Sequence, residues 1–271
     1  MTVGEHRAAH ALLRWYADAG VDECIDASPS DFYSWQSEPR SGEAPQIETV
    51  KRQRLAPEKA DNTPLESIST DEAIRSAEKL AASCQTFEAL DAAVRAFEGC
   101  PLKTGARSTV FTDGVPGSDL LVIGEAPGRD EDRLGKPFVG RAGQLLDKML
   151  AAIDHSREHN TLISNVIYWR PPANRTPTAV ETAVCKPFVD RLIEITEPKA
   201  VMIAGGAPLQ ALLGVTGIMR ARGVWREIET SSGLRIPALP VFHPAFLLRQ
   251  PASKRLAWAD LQNLAKRLKE R

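Results

Sequence analysis

Short apolar runs alternate with segments of helical period from about residue 100 onward, and few folds accommodate such a pattern. Leu120–Gly124, the run TLISNVIYW from Thr161, KAVMIAGG from Lys199 and PALPVF before His243 each have the length and continuous apolarity of a strand buried on both faces. Between the first two, residues 141–153 place Leu145, Leu146, Met149, Leu150 and Ile153 on one helical face. Thr176 followed by Pro177 predicts a helix start, since proline at the first helical position loses no useful donor. That helix is expected to run to about Ile195 and to bend near Pro187. A short helix over 207–213 follows the third run. GVWREIETSSGLRIPALPVF reads as a hairpin around Ser232-Gly233 that returns into the fourth strand. Ser253 is expected to cap a last helix with Leu256, Leu261, Leu264 and Leu268 on its core side. Strands separated by helices indicate a layered α/β fold with a mainly parallel sheet. Ligands of such sheets bind beyond the carboxyl ends of the strands. That rule singles out Glu125, Asn165, Gly205, Gly206 and His243.

The first part of the chain has a different character. Residues 5–18 read as a short helix, and residues 26–66 as a linker, partly disordered, with Pro29, Pro39, Pro45, Pro57 and Pro64 among polar residues. The aromatic island DFYSWQ within it is of a kind that docks on a domain. Helices are expected over 70–83, with Ser69 or Thr70 at its start, and over 86–97. The division is therefore an extension over 1–68 and a folded α/β domain over 69–271. The net charge of −1 means that any nucleic-acid face must come from local clustering of cations. No apolar run approaches ~18 residues, so no membrane span is expected. Cys24, Cys84, Cys100 and Cys185 form no CxxC pair and no secreted disulfide framework, and the N-terminus lacks a signal-peptide layout. A cytoplasmic monomer is expected.

Glu125 is a carboxylate at the mouth of a buried strand, followed by Pro127 and Gly128. The stretch is neither GxGxxG nor a P-loop, which disfavours a Rossmann-like nucleotide binder. Asn165 offers a donor and an acceptor, suited to the edge of a nucleobase or amide. His243 directly follows the fourth strand and precedes a proline. The tracts KRQR at 51–54 and KRLKER at 266–271 read as solvated surface.

GEAPG from Gly124, ED at 131–132, GKPFVGRAGQLLD from Gly135, NVIYWRPPANRTP from Asn165 and HPAFLLR from His243 together resemble the family-4 uracil-DNA glycosylases. The resemblance spans roughly Cys100 to Arg271. It implies a three-layer α/β/α sandwich around a mainly parallel four-stranded sheet, with a helical or disordered N-terminal extension. It also implies excision of uracil from single- or double-stranded DNA. Glu125 would place or polarise the attacking water. Phe138 would stack on the flipped uracil, and Asn165 would bond its O4 and N3–H edge, with Gly124 and Ala126 beside the base. His243 would bond O2. Leu247 or Leu248 would enter the duplex, with Arg249 near a phosphate, while Pro127, Gly128, Arg141, Gly205, Gly206 and Pro244 would approach the DNA backbone.

Two departures from the family pattern matter. Most members hold a four-iron, four-sulfur cluster on four cysteines. Here Cys100 and Cys185 match two of them, but Lys103 and Trp169 stand at the other two. Cluster ligation needs four thiolates, so no cofactor and no metal is expected, and Cys100 and Cys185 are remnants, as free thiols or a bridge. Arg129 stands where some relatives carry an acid, and it is placed to meet a phosphate or pair with Asp130 or Asp132. NVIYWRPPANR contains no histidine and no basic insertion of the kind that attaches covalently to an abasic site, so hydrolysis with turnover is expected. The alternatives are a lesion- or abasic-site-binding protein without turnover, and a glycosylase for another deaminated base such as hypoxanthine.

Overall fold

The computed structural model describes residues 69–270. It opens with two helices, α1 (Thr70–Ser83) and α2 (Phe87–Ala96), whose N-caps are Ser69 and Thr86. Each cap hydroxyl accepts the amide three residues on, at 3.2 Å, so one orphan donor of each first turn is satisfied. The helix of residues 5–18 and the aromatic island lie outside the described residues.

Strands β1 (Thr112–Gly114) and β2 (Leu120–Gly124) follow, then helices α3 (Arg129–Leu134) and α4 (Arg141–Ala151). Strand β3 (Thr161–Asn165) leads to α5 (Ala179–Thr196), β4 (Ala200–Ala204), α6 (Gly206–Leu213) and α7 (Ile218–Ala221). The hairpin of β5 (Arg226–Glu229) and β6 (Arg235–Val241) precedes α8 (Pro244–Arg249) and α9 (Lys254–Lys269). The sheet has six strands in the order β1-β3-β2-β4-β6-β5. The four expected strands are its parallel core, and an antiparallel strand extends it at each edge.

Alternation along the central strands builds two core layers. Leu121, Ile123, Val201 and Ile203 face α1, α2 and α5. Leu120, Val122, Ala200 and Met202 face the other side, against Leu146, Met149 and Leu150 of α4 and Leu261 and Leu264 of α9. With both faces covered, these strands contain no exposed residue, which is why they read as continuous apolar runs rather than alternating ones. The register aligns the strand ends. Gly124 pairs with Asn165, and Ala204 pairs with Val241. The residues that follow, Glu125, Gly205 and His243, therefore emerge along one edge of the sheet.

Local differences from the sequence expectation have identifiable causes. Thr178, not Thr176, caps α5, because its hydroxyl and the Glu181 carboxylate exchange bonds with each other's backbone amides. The helix continues through Pro187. Strand β3 stops at Asn165, although Val166 and Ile167 still donate to the carbonyls of Gly124 and Glu125. Ser253 precedes α9 but makes no capping bond, since a 3-10 turn over Pro251–Ser253 already gives it helical backbone angles. Leu256 is exposed, and the buried stripe of α9 is Ala257, Leu261, Leu264 and Leu268. Residue 256 lies about 100° around the helix from that stripe.

Candidate active site

A cavity of about 520 Å³ opens at the carboxyl ends of the parallel strands. Glu125, Asn165 and His243, contributed by the ends of β2, β3 and β6, all line it, and so does Phe138 from the loop before α4. The close packing beneath the cavity explains Gly124. A Cβ there would lie 2.5 Å from Asn165 Oδ1 and 2.5 Å from the Phe138 ring. Only glycine lets both side chains reach the end of β2.

Asn165 is 2% exposed, and its side-chain amide makes no hydrogen bond to another described residue, so its donor and acceptor are free for a ligand. Phe138 is buried and adopts a left-handed backbone, φ 52°. For a bulky residue such a conformation costs roughly 1–3 kcal/mol and persists only where its surroundings enforce it. Its ring lies 5.6 Å from the His243 ring, centroid to centroid, with 27° between the planes.

His243 is the N-cap of α8, and its Nδ1 accepts the Ala245 amide at 3.1 Å. Burial, reinforced by the Arg249 cation, pushes its pKa down to about 4. The ring is therefore neutral near pH 7, and with Nδ1 accepting, its proton sits on Nε2. Gly205, at φ +114°, would place a Cβ 3.2 Å from that of His243. Gly205 thus makes room for the His243 side chain without itself lining the cavity. Glu125 is half-buried and has no side-chain partner among the described residues, and burial raises its pKa above the ordinary carboxylate value. An acid with a raised pKa, a free amide, an aromatic face and a neutral imidazole donor thus share one cavity.

Ala126, Pro127, Gly128 and Arg249 also line it. Arg141, at the start of α4, is exposed next to the cavity residue Ala142. Gly206, Pro244, Leu247 and Leu248 do not line the cavity. The two leucines separate clearly: Leu247 is 1% exposed in the core layer beneath α8, whereas Leu248 is 37% exposed. Leu247 is thus excluded from any role that needs it at the surface. Arg129 is exposed without an ion-pair partner among the described residues, and Asp130 pairs instead with Arg133. The sequence reading missed Glu131, Asn174 and Arg175, which also line the cavity. Glu131 occupies N3 of α3 and bonds the Gly128 amide, a capping arrangement that the ED pair after GEAPG could have revealed. Arg175 is neutralised by a forked bond to Glu181 at 2.6 and 2.9 Å. Arg249 has no ion-pair partner among the described residues, leaving its charge available at the rim.

Residues 111–262 match the family model described as the uracil DNA glycosylase superfamily. The chain belongs to that superfamily. It is 34% identical over 182 residues to the Type-4 uracil-DNA glycosylase of Thermotoga maritima, an alignment covering 66% of this chain and 92% of the relative. Its identity to the Type-4 uracil-DNA glycosylase of Archaeoglobus fulgidus is 35% over 188 residues, again covering 66% and 92%. The Type-4 uracil-DNA glycosylase of Sulfurisphaera tokodaii is 33% identical over 173 residues, with 61% and 77% covered.

The cluster that the family-4 resemblance implies does not fit the residues present in this superfamily member. Cys100 and Cys185 are both buried and both free thiols, not a bridge. Lys103 cannot replace a thiolate. Its ammonium donates to the carbonyls of Arg95 and Phe97 at 2.6 and 3.0 Å and to Glu98 at 2.7 Å. Trp169 is fully buried, with its indole N–H on Thr109 Oγ1 at 3.0 Å and Phe97 packed against it, ring centroids 6.5 Å apart. Among the described residues, no group of three or more His, Cys, Asp or Glu side chains is arranged to hold a metal ion. No described helix is long and apolar enough to cross a membrane.

Proposed function

We propose that this chain hydrolyses the N-glycosidic bond of deoxyuridine in DNA, releasing uracil and leaving an abasic site, the opening step of base-excision repair. The observation that carries this reading is the convergence of Glu125, Phe138, Asn165 and His243 on one cavity. Membership of the superfamily and the Type-4 names of the relatives support it.

On this reading the target nucleotide leaves the duplex at a cost of a few kcal/mol, because the scissile bond is out of reach inside the stack. Leu248, the exposed leucine of α8, enters the gap and offsets that cost. Arg249 meets a phosphate, and the backbone near Pro127, Gly128, Arg141, Gly205, Gly206 and Pro244 follows the strand. Uracil stacks on the Phe138 ring. Asn165 donates to O4 and accepts from N3–H, an edge that cytosine presents with donor and acceptor reversed.

Cleavage breaks the bond between the base nitrogen and the sugar carbon, and the electron pair leaves with uracil. Negative charge grows on O2, where the neutral His243 donates through Nε2–H; one such fixed donor is worth about 3 kcal/mol. Glu125, in its carboxylate form, orients a water and accepts its proton as the oxygen bonds to the cation-like sugar carbon. The proton taken up by Glu125 then passes through solvent to the uracil anion, which restores the carboxylate, and with base and sugar separate products the enzyme turns over. The protein works as a cytoplasmic monomer on single- or double-stranded uracil-DNA and needs no iron–sulfur cluster.

Strand scission by alkali at a unique deoxyuridine tests the reading, with wild type set beside Glu125→Gln, Asn165→Asp and His243→Ala. Wild type should generate the alkali-sensitive site, and each variant should lose at least roughly 10²-fold in rate. Binding of the same DNA without an alkali-sensitive site would instead mark a lesion binder without turnover.

A further inference from the structure

An aromatic residue holds a left-handed backbone only when something enforces it, and around Phe138 two partly buried ionic side chains do so. On one side, the Arg157 guanidinium donates to the Pro137 carbonyl at 3.1 Å and the Phe138 carbonyl at 2.8 Å. It is aimed by Asp113 and Asp147, which accept from it at 2.8 and 2.7 Å. Only 12% of the Arg157 side chain is exposed. On the other side, Glu131 Oε1 accepts the amides of Val139 and Gly140 at 3.0 and 2.9 Å, while its Oε2 accepts the Gly128 amide at 3.1 Å. Four backbone groups of one turn, two carbonyls and two amides, are therefore fixed by two opposite charges. The turn also presses on α4 so closely that a Cβ at Gly143 would strike the Phe138 carbonyl.

We propose that Arg157 and Glu131 are positioning residues for the stacking face: they lock the 137–140 turn so that the Phe138 ring is presented to the cavity before a base arrives. The proposal rests on the uracil-DNA reading above. Arg157 does not line the cavity, so it acts on the reaction only through the turn. Lysine at 157 would keep the charge but could not fork between two carbonyls and two carboxylates.

A double-mutant cycle tests this, with Arg157→Lys and Phe138→Ala made singly and together. For each, kcat and KM are measured on a deoxyuridine-containing single-stranded oligonucleotide, alongside the melting temperature. Arg157→Lys should lower kcat/KM by roughly 10–100-fold with Phe138 present, since a misplaced contact is that costly. With alanine at 138 it should cost no more than about twofold, because the ring it aims is gone. Equal losses in both backgrounds would overturn the proposal, and so would no loss when Phe138 is present. If Arg157→Lys does not fold, Asp147→Asn takes its place, since that carboxylate is 49% exposed and loosens the same guanidinium. A wild type that releases no uracil strikes the underlying reading and the proposal together. A wild type that releases uracil beside an unaffected Arg157→Lys strikes the proposal alone.

Discussion

Nδ1 of His243 accepts the backbone amide of Ala245 at 3.1 Å, and this one bond decides which way the imidazole proton points. With Nδ1 occupied as an acceptor, a neutral ring can only offer Nε2–H. Its pKa of about 4, against an ordinary value of 6.5, keeps it neutral through the physiological range.

The sign of the stability effect follows from that depression. Between pH 6.5 and 4 the unfolded chain binds a proton at this histidine that the folded chain does not, so stability falls as pH falls through the window and levels off below it. Melting temperatures of wild type and His243→Ala, compared from pH 7 to 4, should show wild type losing ground within that window. Parallel curves would contradict a buried neutral ring.

Glu125 shifts the other way. Its pKa is raised by burial, so the folded chain binds the extra proton, and stability contributed by this group declines as pH rises from the ordinary carboxylate value through the raised one. Two outcomes follow. Activity should be lost on the acid side through a group titrating above the ordinary carboxylate value, and Glu125→Gln should be inactive while melting at or above the wild-type temperature near pH 7. A destabilised Glu125→Gln would mean that the carboxylate is a structural partner.

The leucine pair of α8 gives opposite expectations for neighbouring residues. Leu247→Ala removes a core side chain and should cost about 2–5 kcal/mol of stability. Leu248→Ala should leave the melting temperature within about 1 °C of wild type, since it is a surface change. Its rate on double-stranded uracil-DNA should fall roughly tenfold, with a smaller loss on single strands, where no stack needs filling.

An indole, Trp169, and a paired ammonium, Lys103, stand where the family-4 resemblance implies two of four thiolates. Freshly purified protein should therefore contain no stoichiometric iron or sulfide, and chelators should not shift its melting temperature. Trp169→Ala should destabilise by about 3–5 kcal/mol, as for any large buried aromatic. Iron and sulfide at cluster stoichiometry would contradict this.

Much of this architecture could be read from the chain because burial on both faces leaves so plain a mark. Leu120–Gly124 is apolar throughout, and its strand has the expected bounds. The rule that ligands sit beyond such strand ends picks Glu125, Asn165 and His243, which meet in one cavity, and also Gly205 and Gly206, which do not line it. Strand β1, TDG, was invisible because three half-buried edge residues carry no periodic signal. Leu247 and Leu248 could not be separated either, since on a helix of under two turns adjacent residues differ only in which way the helix faces. The Arg157 clamp was hidden for another reason. It spans 19 residues in the chain and depends on backbone carbonyls, which every residue possesses.

Release of free uracil, quantified by chromatography from an oligonucleotide with a single deoxyuridine in excess over protein, is the most direct test of the whole account. Wild type should release many equivalents per protein molecule, while Glu125→Gln, binding the same DNA, releases none on that timescale. DNA held by a folded wild type with no uracil set free would contradict the account.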